Sequence, residues 1–311
     1  MSDSPYRGPQ GKPRDKRERE RDRQARPTPA ADARRPPGRG PGREHARDHA
    51  RDEADAALLR GEAATPKTPR ELRLYGLNAC LAMFAHRPQD LRKVWLLESR
   101  IPKLKAVLAH CVQHRLGYTV VGDEDLQKLS GSAHHEGVVF GVVPAVELNL
   151  SDWLRELPAG PAAALWLDGV GNPHNLGAIL RSAAHFGVAG LLLPKDSPLA
   201  LSGAAARVAE GGAERVPMVR MGRADNSLAQ LRSAGFVAAA TVVRGGQSLY
   251  RTALPERLLL MMGAEQTGVD PLLAEASALR LGIPGSGAVE SLNVASATAV
   301  FLGEWWRQRQ G

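Results

Sequence analysis

The sequence predicts an α/β protein in three parts: a C-terminal domain on a mostly parallel sheet, a small α/β domain before it, and a disordered tail at the start. Three observations carry this. From Ala164 onward, short apolar runs alternate with stretches of helical periodicity, as βα units do when their strands are buried on both faces. A shorter alternation of the same kind begins at Leu72. Residues 1–68, by contrast, have Tyr6 as their only aromatic, and Leu58 and Leu59 as the only large aliphatics besides Met1. Such a segment buries too little apolar surface to offset its ordering entropy.

The tail also holds most of the charge. Of the chain's net +8, residues 1–70 supply +6, from 18 Lys/Arg against 12 Asp/Glu. A cationic flexible segment suits non-specific RNA contact, because neutralised phosphates release condensed counterions. A tail that is merely solvated would have the same composition. No apolar run approaches the roughly 18–20 residues of a membrane span, and the charged N-terminus lacks the apolar stretch of a secretory signal. Cys80 and Cys111 lie far apart with no CxxC partner. That points away from a disulfide framework or zinc site and toward buried thiols in a reducing cytoplasm.

The small domain is expected over 71–145. Apolar spacing over Tyr75–Phe84 predicts a helix, which His86-Arg87-Pro88 stops. Val94–Leu97 reads as a buried strand, Ile101–His114 as an amphipathic helix and Tyr118–Val121 as a second strand. Asp123–Leu129 reads as a short capped helix and Val138–Val143 as the closing strand. His134 and His135 would project to opposite faces of a strand and could not easily share a metal, so a loop or strand-start role is expected. Residues 146–161 read as a linker, with two helical turns over Leu150–Leu157 ended by Pro158-Ala-Gly160-Pro161.

In the last domain, 162–311, strands are expected at Ala164–Asp168, Gly190–Leu193, Val216–Arg220, Phe236–Thr241, Leu258–Met262 and Ala278–Ile283. Helices are expected at Asn175–Phe186, Ser202–Glu210, Ser227–Ala234, Asp270–Ala276 and Leu292–Arg309. Ligands of such sheets sit beyond the carboxyl ends of the strands, and three glycine-containing segments fall there.

The first runs from Asp168 to Arg181. Asn175 can cap the following helix, Gly177 is a small first-turn residue, and Arg181 lies about one and two-thirds turns beyond Asn175. By itself this is a capped helix with an exposed arginine. The second, Leu258 to Asp270, is an apolar strand running into a glycine turn that carries a carboxylate. Gly263 permits close backbone approach and Gly268 a tight turn, while Glu265 could bond Asn175 or Arg181, or cap the next helix. The third, Leu281 to Ala297, contains Gly285-Ser-Gly287. It lacks the third glycine and the following βαβ unit of a dinucleotide fingerprint.

In this order, the Asn175-x-Gly177-x-x-x-Arg181, Gly263-x-Glu265-x-x-Gly268 and Ile283-Pro284…Ser291-Leu292-Asn293-Val294 segments resemble the SpoU/TrmH family of RNA ribose 2′-O-methyltransferases, in the SPOUT superfamily. Tyr75-Gly76 and His135-Glu136-Gly137 are similar to the start and end of the ribosomal-protein-like RNA-binding domain that often precedes it. The resemblance implies a knotted (trefoil) α/β methyltransferase domain that binds S-adenosylmethionine and needs no metal. It places Asn175, Arg181, Glu265, Ser291 and Asn293 at the reaction centre and Thr241, Gly263, Ile283 and Leu292 around the cofactor. Arg181 would hold an RNA phosphate bidentately and, secondarily, assist loss of the 2′-hydroxyl proton. A tRNA or rRNA partner and a homodimer formed through the knot region follow from the resemblance; the cytoplasmic location rests on the cysteines and the N-terminal charge. The paired Trp305 and Trp306 are expected to divide between the interior and a second subunit. Within Ala205–Pro217 the family's frequent Ser-x-Gly-Ala is absent: Ala209 stands for the serine, with Glu210-Gly211-Gly212 beside it. That puts the substrate, not the chemistry, in question. Two rival functions remain: a knotted methyltransferase acting on a base, and a non-catalytic RNA-binding or ribosome-assembly factor.

Overall fold

The computed structural model describes residues 71–310; the tail expected over 1–68 lies outside the described residues. The small domain is a four-stranded sheet in the order β1-β4-β2-β3, made of β1 (Leu72–Tyr75), β2 (Leu91–Leu96), β3 (Gly117–Val120) and β4 (Val138–Val142). β4 runs antiparallel to both β1 and β2, and β3 runs parallel to β2. Helices α1 (Leu77–His86) and α2 (Lys105–Gln113) cover one face, burying Met83, Cys80, Val107 and Cys111 against Leu74, Val94, Leu96 and Phe140. Helix α3 (Asp123–Ser130) covers part of the other, where Leu126 meets Tyr75, Trp95 and Val139. Side chains two apart on a strand share a face, so both clusters follow from the strand sequences. Both cysteines are buried free thiols, and burial pushes the Cys80 and Cys111 thiols up, keeping them protonated.

Two differences from the expected elements have local causes. Tyr75 ends a strand instead of opening a helix, and Gly76 makes the turn between them at φ 92°. The helix expected from Ile101 begins as a 3₁₀ stretch over Glu98–Leu104 and becomes α-helical at Lys105. Pro102, which has no N–H to donate, sits inside that first stretch.

The C-terminal domain is an eight-stranded, wholly parallel sheet in the order β10-β12-β9-β11-β6-β7-β8-β5. Its elements run β5 (Leu148–Asn149), α4 (Leu150–Glu156), β6 (Ala162–Asp168), α5 (Pro173–His185), β7 (Gly190–Leu193), α6 (Gly203–Ala209), β8 (Met218–Arg220) and α7 (Ala224–Ser233). Then come β9 (Val237–Thr241), β10 (Gln247–Ser248), β11 (Arg257–Gly263), α8 (Pro271–Ala276), β12 (Leu279–Gly282) and α9 (Val294–Gln310). Along β6, Ala163, Leu165 and Leu167 face α5 and α9, while Ala162, Ala164 and Trp166 face the side covered by α4 and α7. That two-sided burial explains the unbroken apolar run.

The segment read as a linker is part of this domain. It supplies edge strand β5 and helix α4, whose N-terminus the Asn149 side chain caps by accepting the Asp152 N–H (2.9 Å). Trp153 is buried, and its indole donates to the Ala189 carbonyl at 3.0 Å. A Cβ at Gly190 would stand 2.7 Å from that indole, so the pairing of tryptophan and glycine is steric. At the far end of the chain, α9 begins at Val294, two residues later than expected. Trp305 packs inside and donates to the Pro255 carbonyl (3.2 Å), while Trp306 is exposed.

Candidate active site

The carboxyl ends of β9, β12, β11 and β6 lie side by side, and the loops that leave them bring the three glycine segments together. Asn175 Nδ2 donates to Glu265 Oε1 at 3.0 Å. Asn293 Nδ2 lies within bonding distance of the same Glu265 oxygen (2.9 Å) and of Asn175 Oδ1 (3.1 Å). One side chain from each segment thus closes a three-membered polar cluster, joining residues up to 118 apart in the chain.

Each member is held from behind. Asn293 Oδ1 accepts the N–H groups of Ala295 (2.9 Å) and Ser296 (3.4 Å), capping α9 while its amide faces the cluster. Asn175, expected as the cap of its helix, is not the cap. Asn172 takes that role by accepting the His174 N–H at 2.9 Å, with Pro173 at the first helical position. Asn175 therefore sits in the first turn, free to reach Glu265. The Glu265 loop is pinched at its base: Gly268 N–H donates to the Ala264 carbonyl at 2.8 Å. A Cβ at Gly263 would stand 1.9 Å from the Gly268 carbonyl carbon, so Gly263 is required by loop closure itself. Asp168, at the end of β6, steadies the same loop by accepting the Asp270 N–H at 2.7 Å. Asp168 and Asn172 are the residues that reading the sequence missed as supports; the Asn-Pro pair at 172–173 was the available signal for the cap.

Arg181 stands apart. It is exposed on α5, six residues beyond Asn175, and thus roughly 120° around the helix from it. Its Cα lies instead against Gly212, where an added Cβ would come within 3.1 Å. Ser291 is exposed, and no hydrogen bond joins it to the cluster. Of the residues expected around the cofactor, Thr241 and Gly263 end β9 and β11, and Ile283 follows β12. The Thr241 hydroxyl donates to the Met261 carbonyl (2.9 Å), tying β9 to β11. Ile283 packs against the core, and Leu292 is 47% exposed. At Gly285 and Gly287 a Cβ would meet nothing within 4 Å, so the third loop offers backbone groups facing open space. These residues fit a cofactor that binds mainly through main-chain contacts.

The SpoU rRNA methylase family model matches residues 162–303, and the RNA 2′-O ribose methyltransferase substrate-binding model matches residues 73–146. The uncharacterized tRNA/rRNA methyltransferase YfiF of Escherichia coli O157:H7 is 38% identical over 256 residues, 82% of this chain and 72% of that protein. The chain belongs to the SpoU family. Another SpoU relative, the 23S rRNA (guanosine-2′-O-)-methyltransferase RlmB of Pseudomonas putida, is 35% identical over 244 residues, 76% of this chain and 97% of its own length. Two solved structures share the SpoU fold. An RNA 2′-O ribose methyltransferase matches with a TM-score of 0.66 at 23% identity, over 78% of this chain and 90% of that one. An AdoMet-bound rRNA methyltransferase from Sinorhizobium meliloti matches at 0.64 and 24%, over 76% and 87%.

Proposed function

We propose that this SpoU protein is an enzyme that methylates the ribose 2′-hydroxyl of a tRNA or rRNA nucleotide, using S-adenosylmethionine, at the rim where Asn175, Glu265 and Asn293 meet. The observation that carries the reading is that cluster: three segments distant in sequence converge on one carboxylate. S-adenosylmethionine, when bound, supplies an already activated methyl group, so the protein's share is orientation, loss of the hydroxyl proton and neutralisation of the neighbouring phosphate. Backbone groups of Thr241, Gly263, Ile283 and Leu292 hold the cofactor. Glu265 takes amide donors on one oxygen and keeps the other for substrate or for orienting its neighbours. Ser291 and Asn293 face the ribose. Arg181 grips the phosphate through its planar fork and assists departure of the 2′-hydroxyl proton. No step calls for a metal.

The reading extends to assembly and place. β12 inserts between β10 and β9, which supports threading of the last segment through a trefoil knot, a rare exception to unknotted topology. Exposed Trp306 on α9 supports pairing of two copies through that region. Work in the cytoplasm is supported by Cys80 and Cys111, both buried free thiols; among the described residues no helix is long and apolar enough to cross a membrane.

Calorimetry with S-adenosylmethionine tests the cofactor half. Micromolar or tighter binding, about −8 kcal/mol, is expected, and no heat at millimolar cofactor would remove it. Methyl transfer to RNA extracted from cells lacking the gene tests the other half. Transfer to base nitrogens only, or none with cofactor bound, would favour a base methyltransferase or a pure binder respectively.

A further inference from the structure

The segment 203–214 touches both the small domain and the helix that carries Arg181. On its outer side, Arg207 donates to Glu136 at 3.1 Å, and Glu210 accepts from Asn78 at 2.6 Å. Glu214 receives a two-pronged contact from Arg87, at 2.8 and 2.9 Å. That pair is buried: the Arg87 side chain is 10% exposed and the Glu214 side chain 6%. The third nitrogen of Arg87 donates to the Val143 carbonyl at 2.6 Å, just past the end of β4. One guanidinium therefore ties the small domain's closing strand to the methyltransferase domain.

On its inner side the same segment lies directly on α5. A Cβ at Gly177 would stand 2.4 Å from the Ala205 carbonyl oxygen, and one at Gly212 would stand 2.7 Å from the Leu180 carbonyl oxygen. Backbone meets backbone at the residue before Arg181, with no side chain to absorb a shift. Gly211 is equally close to the small domain: a Cβ there would stand 2.8 Å from the Ala82 methyl. This is the stretch that departs from the family's frequent Ser-x-Gly-Ala.

We propose that Arg87 and Glu214 are positioning residues for methyl transfer. They lock the substrate-binding small domain to the backbone that carries Arg181, so the span from an RNA feature held by the small domain to the ribose at the catalytic rim is fixed. The inference rests on the function proposed above. Removing one partner of a buried ion pair leaves an uncompensated charge, which the junction relieves by opening to water. A small domain that is tethered but no longer fixed presents its RNA at a lower effective concentration and in many orientations.

The test uses the full chain with two readouts. Spin labels at Lys105→Cys and Glu275→Cys, both exposed positions, report the distance across the junction; native Cys80 and Cys111 are buried and stay unlabelled. Single-turnover methyl transfer to RNA from cells lacking the gene, counted per S-adenosylmethionine-binding site, reports positioning. Arg87→Ala is expected to broaden a narrow distance distribution and slow transfer at least tenfold, with cofactor affinity within twofold of wild type. Arg207→Ala breaks a pair that is about one-third exposed and serves if Arg87→Ala does not fold. It should move both readouts the same way, by less. A folded variant with wild-type distances or wild-type rate per site overturns the proposal. A wild-type chain with narrow distances and no transfer overturns the function instead, and transfer with broad wild-type distances overturns the docking alone.

Discussion

Glu265 accepts amide hydrogens from Asn175 and Asn293 on a single oxygen, and this is where the site is most sensitive to one atom. Glu265→Gln replaces an acceptor-only carboxylate with an amide that must turn its oxygen toward both asparagines. It should slow methyl transfer tenfold or more with little change in cofactor affinity; wild-type turnover in Glu265→Gln would remove the carboxylate from the mechanism. Arg181 is a different case, exposed and outside the cluster. If it grips phosphate in the transition state, Arg181→Ala loses a contact of about 3–4 kcal/mol, a hundredfold to a thousandfold in single-turnover rate. Arg181→Lys should rescue poorly, since a point charge cannot reproduce a two-pronged contact. The residues of the cluster were legible only through the resemblance of the three glycine segments to the SpoU/TrmH family; by themselves Asn175 and Glu265 read as helix-capping residues. The bonds among them were not. Asn175 looked like a helix cap, and only the structure assigns that task to Asn172, since either asparagine can accept a first-turn N–H.

Among the elements, the buried strands were the easiest to read. β6, β7, β9 and β11 are apolar on both faces, and a run of that kind marks itself. The two-residue edge strands β5 and β10 were not visible, for a pairing that short leaves no periodicity. Reading residues 146–161 as a linker found the helical turns of α4 but not their place against the sheet, because the buried contact of Trp153 with Gly190 is tertiary and leaves no local signal. Gly263 illustrates a position where local and tertiary demands coincide. Gly263→Ala forces a methyl into the Gly268 backbone, so it should displace the Glu265 loop and abolish transfer while leaving the distant small domain folded, as hydrogen exchange would show. In α9, Glu304 accepts from Arg307 (2.7 and 2.8 Å) and from Gln308 (2.8 Å), and these hold its carboxyl down from 4.5 to about 2. Its folded value lies below the unfolded one, so its stabilising contribution is complete above about pH 4.5 and is lost as pH falls through about 2. Glu304→Gln should flatten the fall of Tm over that window. An identical slope in both proteins would mean the carboxylate is not linked to folding.

At the scale of the whole molecule, fold class and domain order were readable because alternation of strand and helix survives in any α/β sequence. The junction between the domains was not, because it is made by single pairs such as Arg87 with Glu214, 127 residues apart. The excess charge of residues 1–70 fits either contact with RNA phosphates or simple solvation, and one deletion separates the two. Deleting residues 1–68 should weaken RNA binding and reduce the slope of log affinity against log salt, with cofactor affinity unchanged; an unaltered slope would make that segment a bystander. Whether the three converging loops form a ribose methylation site is decided in the cell. Ribose 2′-O-methylation is mapped across total RNA from cells carrying the gene, lacking it, or carrying Arg181→Ala. One or a few tRNA or rRNA positions are expected to lose their 2′-O-methyl group in both altered strains. Identical maps in all three would contradict it.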